Sequence, residues 1–142
     1  ACATMSQDKV GALILLAQEN NLSEIIDTGV VIDAVISKPL LENIFFKNSP
    51  LHDGAMVIAN NKIEAARCIL PITQNINLPG SYGLRHRAGI GITENSDCIA
   101  LVVSEETGSI RIIKSGKVYD VKASEMKAKI KELTTKKTIG LE

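Results

Sequence analysis

Two short, unbroken apolar runs constrain this chain most: Val10 to Gln18, apolar up to its last residue, and Ile99-Ala100-Leu101-Val102-Val103. Neither alternates with polar residues, and each has the length of a strand. Such runs are expected for strands buried on both faces, which requires packing layers on either side of a sheet. The layers must be aliphatic, because aromatic residues make up only 3% of the chain and Trp is absent, while hydrophobic residues reach 45%. At 142 residues the chain is long enough to enclose one such core, and a single domain is expected over residues 1–142.

Around these runs the remaining elements fall into place. Residues 1–8 are expected to be the end of a linker helix, Leu22 to Asp27 a short helix stopped by Gly29, and Val30 to Ile36 a β-branched strand. Lys38 to Lys47 carries a helical stripe (Leu40, Leu41, Ile44, Phe45) with Pro39 near its start and Pro50 as its stop. Ala55–Ala59 and Lys62–Ile72 form a hairpin through Asn60-Asn61, and Thr73 to Gly83 a polar loop. Arg85 to Glu94 reads as a helix, Cys98–Ser104 as a central strand, and Ser109–Lys114 with Lys117–Val121 as strands joined through Ser115-Gly116. Residues 122–142 form a C-terminal helix and tail, with Ser124 as its cap and Met126, Ile130 and Leu133 turned inward. The expected fold is α/β: a central twisted mixed β-sheet with helices on both sides.

Composition excludes several functions. The scarcity of rings argues against a stacking platform for single-stranded nucleic acid. Sixteen Lys and Arg balance sixteen Asp and Glu, so no global basic field exists to hold nucleic acid or an anionic membrane. Cys2, Cys68 and Cys98 lack zinc-type spacing and fit a reducing, cytoplasmic setting. Nothing reads as a signal peptide or a membrane span. The first residue is Ala rather than Met, so the chain is expected to begin inside a longer protein.

Three segments carry chemistry. Arg85-His86-Arg87 follows Gly83-Leu84 at the expected start of a helix, where cations oppose the helix dipole unless an anion such as phosphate binds there. Alternatively, the arginines pair with surface carboxylates and His86 packs in the core. His52-Asp53-Gly54 sets an imidazole beside a carboxylate, suited to a hard divalent ion or to taking a proton from a hydroxyl; Asp-Gly is also simply a good turn. Ser104-Glu105-Glu106-Thr107-Gly108 closes the buried strand, where Ser104 and Glu106 share one face; a plain hairpin turn is the other reading.

In this order, Leu51-His52-Asp53-Gly54-Ala55, Arg85-His86-Arg87-Ala88 and Ser104-Glu105-Glu106-Thr107-Gly108 resemble the diadenylate cyclase (DAC, DisA N-terminal type) domain, in particular its membrane-anchored bacterial CdaA class. Gly11-Ala12-Leu13-Ile14 and residues 44–50 are similar to it as well, and the resemblance runs over residues 8–120. It implies condensation of two ATP molecules into cyclic di-AMP with release of two pyrophosphates, in a homodimer whose domains face each other. It also implies a cytoplasmic catalytic domain that meets the membrane only through a preceding segment. By this resemblance Asp53 acts at the 3′-hydroxyl, and His52, Asp53 and Glu106 hold Mg²⁺ or Mn²⁺. Arg85, His86 and Arg87 line the phosphate end with the Ser104 hydroxyl, and backbone near Leu70 reads adenine while Ile69 packs on the ring. Gly54, Ala55, Gly83, Leu84, Glu105 and Thr107 complete the substrate-binding set. Leu84 stands where the family commonly has Thr or Ser, and Ile69 where some members have an aromatic residue. A non-catalytic ATP or cyclic di-AMP binding module, and a metal-dependent phosphoesterase, are the competing readings.

Overall fold

The computed structural model describes residues 1–70 and 82–141, and side chains in the last helix as far as Thr134. Among the described residues seven strands form one sheet: β1 (Ala12–Leu16), β2 (Val30–Val35), β3 (Ala55–Ala59), β4 (Lys62–Cys68), β5 (Ile99–Val103), β6 (Ile110–Lys114) and β7 (Lys117–Val121). Their order is β2-β4-β3-β1-β5-β6-β7. β1 and β3 pair in parallel, whereas β1–β5, β2–β4, β3–β4, β5–β6 and β6–β7 are antiparallel. The two apolar runs lie side by side in the middle, and every residue of β5 is buried.

Strand alternation divides the core into two layers. On one face Ile14, Met56, Ile63, Leu101 and Ile112 pack with Met5 of α1 (Cys2–Gln7) and with Leu41, Ile44 and Phe45 of α3 (Lys38–Phe45). Met126, Ile130 and Leu133 of α5 (Met126–Leu141) join this layer. On the other face Leu13, Leu15, Val57, Ala100, Val102 and Ile113 pack with Ile25 and Ile26 of α2 (Ser23–Ile26). Ala88, Ile90 and Ile92 of α4 (Leu84–Glu94) complete that side. Gly89 lets α4 press closely onto the sheet, since a Cβ there would lie 2.9 Å from Ile113 Cδ1.

The hairpins follow their turn chemistry. Asn60 and Asn61 (φ +53° and +61°) and Ser115 and Gly116 (φ +53° and +78°) supply the left-handed pairs that two-residue hairpins need to match strand twist. Four expectations shift by more than one residue. β1 starts at Ala12 because Lys9 takes φ +53° and the Val10 N–H donates to Met5 O. β4 stops at Cys68 rather than Ile72: Arg67 takes φ +55°, and the Ile69 N–H donates to Thr28 Oγ1 at 2.8 Å instead of to a strand. Residues 71–72, and 73–81 of the expected loop, lie outside the described residues. α3 ends at Phe45, well before Pro50, because Phe46 turns extended at ψ 133°. Ser124 is not the cap: a 3-10 turn spans Ala123–Glu125, and the Glu125 carboxylate accepts from the Lys122 N–H at 2.9 Å.

Candidate active site

The parallel pair β1 and β3 begins at one end of the sheet, and β4 and β5, running the other way, finish there. α4 also starts at this end. A cavity of about 520 Å³ opens between them, within the roughly 300–1,000 Å³ usual for small-molecule sites. His52, Asp53, Gly54 and Ala55 enter from the start of β3, and Cys68, Ile69 and Leu70 from the end of β4. Gly83 comes from just before α4, Leu84, Arg85, His86 and Ala88 from α4 itself, Val103 from the end of β5, and Ser104, Glu105 and Glu106 from the turn after it. All three chemical segments thus share one cavity, with Leu13 among the residues lining it.

At one end lies the first turn of α4, preceded by Gly83 and capped by no side chain. Its N–H groups carry the helix's positive pole. Arg85, in that turn, crosses the backbone of Gly11, where a Cβ would fall 2.7 Å from Arg85 Nη1. Arg85 Nη1 stands 3.7 Å from Glu105 Oε1, and its Nε is buried with no hydrogen-bond partner among the described residues. A half-satisfied guanidinium beside an uncapped helix start is suited to an incoming anion. Gly11→Ala should therefore displace Arg85 while leaving the fold intact, because the clash is with the far end of a flexible side chain. Affinity for pyrophosphate, taken as the probe anion, is expected to fall about tenfold with a thermal midpoint within about 2 °C of the parent. Calorimetric titration and differential scanning would check both.

His86 is different in kind. It is buried, stacks on Tyr82 with ring centres 5.2 Å apart, and sets Nε2 3.0 Å from Arg111 Nη1. Burial first, then the Arg111 charge, push its pKa down to about 4, so it lends the cavity a neutral ring and no charge. The Arg87 Nε donates to Tyr82 O at 3.3 Å, and Arg87 is not among the residues that line the cavity. Motif reading does not reach Tyr82 or Arg111, since neither belongs to one of the three segments.

In the segment that enters from the start of β3, His52 Nδ1 lies 2.8 Å from Ser49 O, and His52 Nε2 3.3 Å from Asp53 Oδ1. A carbonyl only accepts, so Nδ1 carries the proton and, in the neutral ring, a lone pair on Nε2 confronts a carboxylate oxygen. A proton or metal ion between them reconciles the two acceptors, and a backbone-anchored Nδ1 is the usual companion of a metal-ligating imidazole. Among the described residues no three His, Cys, Asp or Glu side chains cluster around one point, so Glu106 lines the same cavity without joining this pair. Ser104 Oγ accepts from the N–H groups of Glu106 and Thr107 at 3.2 and 3.3 Å, leaving its proton to offer the cavity. Thr107 is exposed, bonds Ser109 Oγ at 2.7 Å, and is not part of the wall. Gly54 (φ +82°) lets the turn lie against β4, where a Cβ would meet Cys68 O at 2.6 Å. Ile69 and Leu84, 69% and 71% exposed, form an apolar rim.

The family model described as DAC, DisA bacterial checkpoint controller nucleotide-binding, matches residues 1–118. The chain belongs to this family. As a DAC member it is 44% identical over 133 residues to a diadenylate cyclase of Listeria monocytogenes, covering 92% of this chain and 49% of that one. It is 40% identical over 115 residues to the cyclic di-AMP synthase CdaA of Bacillus subtilis, covering 81% and 42%. The chain thus spans about half the length of these curated relatives. The DAC fold itself is matched by a crystal structure of a DacA double mutant from Staphylococcus aureus, with TM-score 0.87, 40% identity and coverage of 92% of this chain and 87% of that one. A Bacillus cereus protein described as a hypothetical membrane spanning protein aligns at TM-score 0.82 and 42% identity, over 85% and 59%. No described helix of this DAC chain is long and apolar enough to cross a membrane.

Proposed function

We propose that this chain is the catalytic domain of a diadenylate cyclase, condensing two ATP into cyclic di-AMP and two pyrophosphates. The observation that carries the reading is the single cavity where a hydroxyl-activating pair, His52 and Asp53, faces an anion end built from Arg85 and the uncapped α4. In each ATP the 3′-oxygen attacks the α-phosphorus of the other, pyrophosphate leaves, and Asp53 takes the hydroxyl proton. Two such steps close the ring. Arg85, the α4 N–H groups and the Ser104 hydroxyl hold the phosphates, while His86 offers a neutral N–H. Leu70 backbone and the Ile69 side chain hold adenine; Gly54 and Ala55 give the ribose close approach. Arg87 supports this end through Tyr82.

A divalent cation, Mg²⁺ or Mn²⁺, would be held by the paired acceptors of His52 and Asp53 together with substrate phosphates, and Glu106, on the wall of the same cavity, would join them only on binding. When bound it neutralises phosphate charge. Each cavity holds one nucleotide, so a reaction joining two needs two domains face to face. The parent protein is proposed to be membrane-anchored, with this domain, residues 1–142, in the cytoplasm.

Incubation with ATP and Mg²⁺ or Mn²⁺ across a protein dilution series tests the activity and the pairing of domains. Cyclic di-AMP should form, and its specific activity should climb in proportion to protein concentration until the dimer is saturated. Constant specific activity at the lowest concentrations would count against transient pairing. ATP binding without product would make the chain a binding module, and AMP with pyrophosphate would make it a phosphoesterase.

A further inference from the structure

A chain of four side chains ties the first turn of α4 to β7, the edge strand of the sheet. Arg111 on β6 sets its Nε 2.7 Å from Asp120 Oδ1 on β7 and its Nη1 3.0 Å from His86 Nε2. The same guanidinium lies 5.1 Å from the centre of the Tyr82 ring, which in turn stacks on His86 with 13° between the planes. Arg111 is only 19% exposed, so its geometry is set by packing as well as by Asp120. A guanidinium has donors only and keeps its charge in proteins. The nitrogen facing it must therefore accept, and the one proton of a neutral His86 must sit on Nδ1.

We propose that Arg111 is a positioning residue that fixes His86 as an Nδ1-protonated donor at the phosphate end of the cavity. The tautomer follows from hydrogen-bond chemistry alone; the identity of the anion as phosphate rests on the cyclase reading. Two positive neighbours, Arg111 and Arg85, oppose a charge on the ring and Asp120 favours one, while burial, the largest influence, disfavours it. The division of labour is then clear. Arg85 brings charge to the anion, and His86 brings a directed N–H that neither gains nor loses its proton near neutrality. The choice of tautomer, which decides whether a histidine can donate in a given direction, depends on a residue far from the Arg-His-Arg motif.

Long-range ¹H–¹⁵N spectra of the full chain read this directly, and with two histidines present a His52→Gln variant completes the assignment. His86 should show a protonated Nδ1 and a lone pair on Nε2, unchanged from pH 8 to pH 5.5. Arg111→Met should mix the tautomers and bring the ring's titration back towards the ordinary histidine range. It should also raise the KM for ATP about tenfold, with kcat changed less than about threefold. Arg111→Lys, which still only donates, should restore the Nδ1 proton. An Nε2-protonated or charged His86 in the parent protein at pH 7 overturns the proposal, as does an unchanged spectrum in Arg111→Met. If Arg111→Met does not fold, the parent and Arg111→Lys spectra still decide. Failure of the cyclase reading would show separately, as absent product beside the expected spectrum.

Discussion

Under the cyclase reading proposed above, Asp53→Asn is expected to abolish cyclic di-AMP synthesis while ATP still binds. Asn keeps the size and turn geometry of Asp beside Gly54 but cannot take a proton from a 3′-hydroxyl. Proton transfer by a positioned side chain is worth about 10²–10⁴ in rate, so turnover should fall by at least that range. The fold should not suffer. The Asn amide can donate to His52 Nε2, which in the parent faces an acceptor 3.3 Å away. The Asp53 side chain is 73% exposed, so little packing depends on it. ATP affinity, set at the Arg85 end, should change by less than about threefold. Measuring product by chromatography and binding by calorimetry, each across a metal titration, separates proton transfer from metal holding. Activity regained at high metal would assign Asp53 to the metal alone, and activity within about threefold of the parent at any metal level would remove it from the chemistry.

Much of this site is legible in the sequence, for a physical reason. Residues 52–55, 83–88 and 103–106 each sit where a buried element begins or ends, and a mixed sheet collects such ends along one edge. Apolar runs and Asn-Asn or Ser-Gly turns announce the strands because burial and left-handed turn geometry act locally. What is hidden depends on contacts between distant residues. Arg111 looks like an ordinary surface residue of a strand, and only pairing of β6 against β5 and packing of α4 bring it to His86. Gly11 has no local turn to explain it; its reason is the Arg85 guanidinium lying across it. The end of β4 escapes a pattern of apolar residues because Arg67 adopts a left-handed backbone that its side chain does not favour. Arg87 and Thr107 show the converse. Adjacency in sequence suggests a shared task, but successive residues of a helix or turn face different ways, and these two are not among the residues that line the cavity.

Arg85→Met should separate function from stability in the opposite sense to a core mutation. In the parent protein Arg85 is mostly buried, its Nε lacks a partner among the described residues, and its ion pair to Glu105, at 3.7 Å, is long. Such a group contributes little to folding, and replacing it with an apolar side chain of similar reach removes an unsatisfied donor. Glu105, 62% exposed, is returned to water at small cost. The thermal midpoint is therefore expected to hold or rise by a few degrees. Binding should move the other way. A hydrogen bond to a charged partner is worth about 1.5–3 kcal/mol, so loss of the guanidinium should weaken ATP by roughly 100-fold. Arg85→Lys, which keeps the charge but not the planar fork, should recover only about a tenth of the parent affinity. Calorimetric titration with ATP beside a thermal scan decides the matter. A Met variant that binds ATP within about threefold of the parent would mean that the orphaned guanidinium does not wait for a phosphate, and the anion end would have to be sought elsewhere along α4.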